Sequence, residues 1–307
     1  MMKKLAVVLL IFIGFGCASK QEYYLFTSFR EPATDGLYLA YSEDGYQWED
    51  LKGPYLKPET GASKIMRDPS IVRGKDDVYH MVWTTEWRGG NGFGYASSTD
   101  LINWSEQQYI PVMQHEPDVV NVWAPEIFYD DEADRYIIIW ASTIPFRYEK
   151  GAEDEENNHR MYYTTTKDFK IFSDTKLFLE PGFSVIDCVI VKRAKDDYAL
   201  IIKDNTRPNR NLKVGFGKTP LGPFTNISEP YTGFLSEGPS FIKKDGKYVI
   251  YYDNYGEKNY KAVSTEDFKT FEDVSSEISL PEGHKHGTIT TISKSVLSKL
   301  IEKSKEK

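Results

Sequence analysis

GLYLAYSEDGYQW, residues 36–48, is a short β-type run followed by a surface motif of Ser42, Asp44 and Trp48. Variants return as GFGYASSTDLINW (92–104), RMYYTTTKDFKIF (160–172), NLKVGFGKTPLGPF (211–224) and NYKAVSTEDFKTF (259–271). Four of the five carry Ser or Thr, one residue, Asp, and an aromatic three or four places on. The chain is therefore a repeat protein, and its active centre is expected where the repeats converge.

Two further β-rich segments precede each copy. The first set is PSIVR (69–73), PEIFYD (125–130), DCVIVK (187–192), GPSFIK (238–243) and GTITTIS (287–293). The second is VYHMVWTT (78–85), RYIIIWAS (135–142), YALIIKDN (198–205), YVIYYDNY (248–255) and, out of order, EYYLFTSF (22–29). Turns such as GKDD, DDEAD, AKDD and KDGK join the sets, and the units recur about every 50 to 60 residues, the pattern of a β-propeller. The displaced member fixes the closure: the chain begins with the second and third strands of a blade and ends with that blade's innermost strand. The expectation is an all-β, five-bladed propeller whose last blade is completed by both ends of the chain. A fourth, outermost strand is expected in each blade, as in QQYIPV (107–112) and KLFLE (176–180). The acidic run YEKGAEDEENNH (148–159) is read as a surface excursion, and VLSKLIEKSKEK as a short amphipathic helix.

The amino terminus reads differently. Lys3 and Lys4, an apolar stretch from Leu5 to Phe15, and Gly16-Cys17 form a signal-peptide pattern too short to span a membrane. Cys17 resembles the lipidated cysteine of bacterial lipoproteins; the alternative is an ordinary secretory signal with an incidental Cys. Residues 1–16 are thus expected to be a leader and 17–307 one catalytic domain, exported and held at the membrane only through lipid on Cys17. That leaves Cys188 as the one remaining thiol, so stability must come from a core. Hydrophobic residues at 40% and aromatics at 14% are enough to build one. A net charge of −8 without a basic cluster argues against nucleic acid, whose phosphates require a basic face. Abundant aromatics in an exported chain fit carbohydrate, whose rings present apolar faces; a monomer is expected.

Inner-strand starts share one rim of a propeller, so carboxylates there converge. Asp68 in MRDPSI, Asp187 in SVIDCVIV and Glu237 in SEGPSF occupy such starts, while Glu126 in WAPEIF lies two residues deeper. Together with a late His-Gly-Thr, these motifs resemble the blade-by-blade signature of glycoside hydrolase family 43. That family contains five-bladed arabinofuranosidases, arabinanases, β-xylosidases and galactofuranosidases. The resemblance implies an inverting glycosidase with Asp68 as general base, Glu237 as general acid and Asp187 as modulator of the acid's pKa. The chemistry fits: inversion needs one ionised and one protonated carboxyl about 6.5–9.5 Å apart. A third carboxylate would raise the acid's pKa by repulsion.

Trp83, Trp87 and Trp123 are candidates for stacking on sugar, and Arg207, Asn209 and Arg210 for hydrogen bonds to hydroxyls. Glu126 is read as a substrate contact or a structural acceptor, and Trp48 and Trp104, at the repeated aromatic position, as blade-locking residues. The resemblance also implies that His286 helps hold a channel cation, usually calcium, mostly through waters; a satisfied core histidine is the alternative. The chemistry itself requires no cofactor. α-L-Arabinofuranosyl ends lead as substrate, followed by β-D-galactofuranosyl and β-D-xylosyl ends. A sialidase would need an arginine cluster and a Tyr nucleophile, and a fructan-cleaving enzyme would need motifs absent here. A non-catalytic, lipid-anchored glycan-binding propeller is the reading from a different class.

Overall fold

The computed structural model describes residues 22–307; the leader and Cys17 lie outside the described residues. Five antiparallel sheets follow one another as blades. The first blade runs Arg67–Arg73, Tyr79–Thr84, Phe93–Ser98 and Gln108–Ile110, and the second Trp123–Asp130, Arg135–Ser142, Arg160–Thr166 and Lys176–Leu179. The third comprises Val185–Ala194, Asp197–Asp204 and Asn211–Gly217; the fourth Ser236–Lys244, Lys247–Asn254, Asn259–Thr265 and Glu272–Asp273. The closing blade takes its inner strand, Ile289–Ile292, from the end of the chain and Tyr23–Ser28, Tyr38–Ser42 and Trp48–Leu51 from the start. Its register pairs Tyr23 with Ile292 and Phe26 with Ile289, joining both ends of the chain in one sheet as expected.

Second strands are buried almost throughout, and Tyr79–Thr84 at every position, because a blade's middle is covered on both faces by its neighbours. Five apolar clusters fill the joints between successive blades. One joins Leu25 and Leu39 of the closing blade to Met81 and Trp83 of the first. Others join Val82 to Ile138, Ile139 to Leu200, and Ile201 to Ile250. The last joins Val249 and Tyr251 to Phe26 and Trp48, closing the ring. Each buried aliphatic or Phe side chain stabilises this arrangement by roughly 1.5–3 kcal/mol. Trp48 meets Phe26 and Tyr251 edge-on, and Trp104 packs on the cluster beside the first blade, so both lock blades.

The repeated motif is a hydrogen-bonded turn. In the first blade Ser98 Oγ accepts from Leu101 N–H at 2.8 Å, and Asp100 Oδ1 accepts from the N–H groups of Ile102 and Asn103 at 3.0 and 2.8 Å. The same set recurs at Ser42/Asp44, Thr166/Asp168 and Thr265/Asp267. Gly45, Leu101, Phe169 and Phe268, which follow the four Asp residues, all have positive φ. These side chains thus satisfy the backbone of a left-handed turn, which is why their types recur.

Two expectations change. The third blade has three strands rather than four. Its outer segment still bonds alongside, through Thr225 N–H to Phe216 O and Ser228 N–H to Val214 O. Pro223 and Pro230 lack the N–H that a regular ladder needs, and Asn226 has φ +53°. The run 148–159 is also more than a surface excursion: Glu153 is 3% exposed and His159 is fully buried. The terminal helix, Lys294–Lys305, seats Leu297 and Leu300 in the cluster beside the first blade. Among the described residues no helix is long and apolar enough to cross a membrane.

Candidate active site

All four long inner strands slip register near their starts: at Arg67/Ser70, Trp123/Glu126, Ile186/Val189 and Glu237/Ser240. Each bulge contains one residue of positive φ, respectively Asp68 (+51°), Ala124 (+45°), Asp187 (+54°) and Gly238 (+57°). Such bulges re-aim side chains, and Asp tolerates the left-handed region better than most residues. Asp68 and Asp187 are therefore equivalent positions, whereas Glu237 stands one residue before its bulge residue. Its longer side chain still reaches the same place. All three carboxylates line one cavity of about 290 Å³ at the mouth of the propeller axis, together with His286.

Blade-to-blade hydrogen bonds fix the three. Ala124 N–H donates to Thr84 Oγ1 at 2.8 Å, and that hydroxyl donates to Asp68 Oδ2 at 2.9 Å. Gly238 N–H donates to Asp187 Oδ2 at 3.0 Å. Nδ1 of His286 lies 3.3 Å from Asp68 Oδ1 and 4.0 Å from Asp187 Oδ1. Lys203 Nζ donates to Glu237 Oε2 at 2.8 Å.

The electrostatics differ from the expected pattern. Burial opposes ionisation of Asp68, but the hydrogen bond and charge of His286, with Arg67 and Thr84, hold its carboxyl below the usual range. That suits a base. Burial, reinforced by the Glu237 charge, pushes Asp187 up despite His286 and Lys203. Glu237 itself is held down: the charge and hydrogen bond of Lys203 outweigh burial. A carboxylate neighbour was expected to raise this group, but the closer partner is an ammonium. Burial works against the His286 imidazolium, yet Asp187, Asp68 and Glu237 raise its pKa to about 9.

Around the carboxylates stand Trp87 and Trp123, their ring centroids 4.5 Å apart. Trp123 Nε1–H donates to the Trp87 carbonyl at 2.6 Å, and the Arg67 guanidinium lies 4.9 Å from the Trp87 ring centroid. Arg210 lines the opposite side, its buried Nε without a hydrogen-bond partner. Three expected contacts are corrected. Trp83 is fully buried on a strand covered on both faces, its indole against Gly94, and cannot meet sugar. Arg207 turns away from the cavity to Asp154, at 2.9 Å, and to Glu153, because the acidic run folds over it. The carbonyl of the neighbouring Asn209 accepts from Leu235 N–H, outside the cavity lining. Glu126 lies below the cavity, where its carboxyl accepts from Ser70 Oγ at 2.6 Å and Thr288 Oγ1 at 3.4 Å; burial raises its pKa to about 7. It is a structural acceptor. Lys203, Asn205, Asn157 and Tyr255 also line the cavity and went unnoticed in the sequence. Lys203 carries a visible signal, a lone cation ending the apolar run YALII.

Nδ1 of His286 faces the Asp68 carboxylate, which leaves Nε2 as the ring nitrogen that could meet a cation or its waters, although calcium itself prefers oxygen ligands. Among the described residues no group of three or more His, Cys, Asp or Glu side chains is placed to hold a metal ion. A larger cavity, about 970 Å³, opens on the outer flank between the third and fourth blades beside Arg193, Phe216, Tyr231 and Phe271; none of the channel-mouth carboxylates lines it.

Comparison with known proteins bears on the family and the fold. A family model described as a probable glycosyl hydrolase domain matches residues 20–297. An α-L-arabinofuranosidase of Bifidobacterium longum subsp. longum is 22% identical over 256 residues, covering 67% of this chain. The chain spans only 24% of that relative's length. Among solved structures, a thermostable family-43 glycoside hydrolase superposes with a TM-score of 0.57 at 16% identity, covering 74% of this chain and 79% of the other. An α-L-arabinofuranosidase from Lactobacillus brevis gives 0.55 at 16% identity, covering 68% and 72%. An exo-β-1,3-galactanase from Clostridium thermocellum gives 0.51 at 14%, covering 73% and 51%. At these identities the structural likeness bears on the fold alone.

Proposed function

The chain belongs to the family of probable glycosyl hydrolase domains related to glycoside hydrolase family 43, and from that membership we propose an inverting glycosidase that removes a terminal sugar from a polysaccharide. The observation that carries the reading is the convergence of Asp68, Asp187 and Glu237, from three blades, on one cavity. Asp68, held ionised by His286, takes a proton from the attacking water. Glu237 protonates the departing glycosidic oxygen, and Asp187 adds negative charge beside it. At about 290 Å³ the cavity is at the small end of ligand pockets, which favours a chain end over a threaded polymer. Trp87 and Trp123 offer aromatic faces at its wall, and Arg210 lines it as a cation.

An α-L-arabinofuranosyl end is the first choice of substrate, supported by the activity named for the curated relative. A β-1,3-linked galactosyl end is the second, the linkage named for a galactanase that shares the fold. Hydrolysis of 4-nitrophenyl α-L-arabinofuranoside, β-D-galactofuranoside, β-D-xyloside and β-D-galactoside, with β-1,3-galacto-oligosaccharides alongside, tests the choice. Asp68→Asn and Glu237→Gln are each expected to lose about 10²–10⁴-fold in turnover while still binding sugar. Proton NMR of the first-formed product should show the inverted anomer. Binding of these glycans with no hydrolysis of any of them would instead favour the glycan-capture reading.

The proposal includes export and lipid attachment at Cys17, supported by the basic start, apolar stretch and Gly16-Cys17 of the leader. Incorporation of a labelled fatty acid that disappears in Cys17→Ala is the expected result.

A further inference from the structure

The middle strand of the third blade, Asp197–Asp204, delivers Ala199 and Ile201 to one joint cluster and Leu200 and Ile202 to another. Lys203 continues this alternation at the end nearest the cavity and is only 2% exposed. A lysine so buried is tolerated only with an anionic partner. Its ammonium donates to Glu237 Oε2 at 2.8 Å and lies 5.0 Å from the Tyr255 ring centroid. The next residue does not compete for it, because Asp204 is paired with Lys213 at 2.8 Å. Among the described residues no other side chain hydrogen-bonds the Glu237 carboxyl.

We infer that Lys203 is the positioning residue for Glu237: its ammonium fixes one carboxyl oxygen, Oε2, and leaves Oε1 as the oxygen free to meet the sugar. The inference rests on the reading of Glu237 as proton donor and adds the means by which that donor is aimed. A glutamate side chain has three torsions, and among the described residues this ion pair is the one side-chain hydrogen bond that restrains its carboxyl at the cavity wall. The pair has a second consequence. An ammonium at 2.8 Å stabilises the carboxylate, so Glu237 is a stronger acid that carries its proton over a narrower, more acidic range. Burial works against the Lys203 charge, and Glu237 and Asp187 outweigh it, so the lysine and the donor are coupled.

The test uses the folded domain with ¹³C-labelled glutamate side chains, the Glu237 signal being assigned by its absence in Glu237→Gln. In Lys203→Met the Glu237 titration midpoint should rise by at least about one pH unit, a tenfold gain in proton affinity, and in Lys203→Arg it should return most of the way. The alkaline limb of kcat/KM should move up with it. Turnover of poorly activated alkyl glycosides, which need the acid most, should fall more than turnover of 4-nitrophenyl glycosides. Lys203→Gln, which keeps a donor and removes the charge, gives the same titration readout if the Met variant does not fold. A midpoint unchanged to within about 0.3 units in a folded, uncharged variant overturns the inference. If the midpoint moves while the wild type cleaves no glycoside, the pairing stands and the proton-donor reading fails.

Discussion

Nδ1 of His286 stands 3.3 Å from Oδ1 of Asp68, although the two residues are joined only through the closure of the ring. The same nitrogen lies 4.0 Å from Asp187, so one imidazolium faces carboxylates from two blades. Its positive charge keeps Asp68 able to accept a proton.

Replacing that ring with a neutral group should therefore weaken the base. In His286→Asn the Asp68 carboxyl loses its nearest cation, and its pKa should rise by about 1–3 units. A base works only when ionised, so the acid limb of kcat/KM should move to higher pH. Stability should respond too. The His286 pKa of about 9 exceeds the value of about 6.5 for a free histidine. Its stabilising contribution is full below about pH 6.5 and is lost as pH rises through about 9, so thermal melts of the variant should lack that alkaline decline. An acid limb that does not move would show that another group controls Asp68.

Two tryptophans four residues apart should behave in opposite ways. Trp83→Ala opens a hole in a fully packed joint and should cost about 3–5 kcal/mol of stability. Trp87, 52% exposed at the cavity wall, contributes little to packing. Trp87→Ala should leave the melting temperature nearly unchanged and raise KM roughly two- to tenfold, the worth of one aromatic contact. Equal thermal losses in the two variants would contradict this division.

Glu126 offers a third contrast, between burial and catalysis. Its carboxyl lies below the cavity with a pKa of about 7, raised chiefly by burial, against about 4.3 in a free chain. A raised value means that the stability it allows is full below about pH 4.3 and is lost as pH climbs through about 7. Glu126→Gln keeps an oxygen to accept from Ser70 and removes the charge. It should recover up to about 3 kcal/mol above pH 7, with KM unchanged because this carboxyl does not reach substrate.

The contrast between what the chain discloses and what it hides follows from range of interaction. The Ser/Thr-x-Asp turns are local: their side chains bond backbone two or three residues away, so the motif is written in consecutive residues and the blades can be counted. Trp83 was misread as a sugar contact although its signal is local: VYHMVWT is apolar without alternation and so belongs to a strand covered on both faces. The bulges at Asp68, Asp187 and Gly238 were not legible, since register slip depends on the partner strand. Glu237 was therefore taken as equivalent to the two aspartates although it stands one residue earlier. The pairings of Lys203 with Glu237 and of Arg207 with Asp154 join segments 34 and 53 residues apart, and only the folded ring brings them together.

Gly238 is where that hidden geometry should be most sensitive. Its φ of +57° is not prohibitive by itself, since Asp68, Ala124 and Asp187 adopt the same region in the other blades. Space is the stronger constraint: a Cβ here would lie 2.6 Å from Cγ of the His286 ring, so the ring must move. Gly238→Ala should cost about 1–3 kcal/mol and reduce kcat, because the displaced imidazolium no longer faces Asp68. A double-mutant cycle separates clash from backbone strain. With His286→Gly already in place neither the ring nor its Cβ, 2.8 Å from the added one, is left to strike, and the alanine should cost only the backbone term, about 1 kcal/mol or less. If Gly238→Ala costs as much in that background as in the wild type, strain rather than the ring accounts for the glycine.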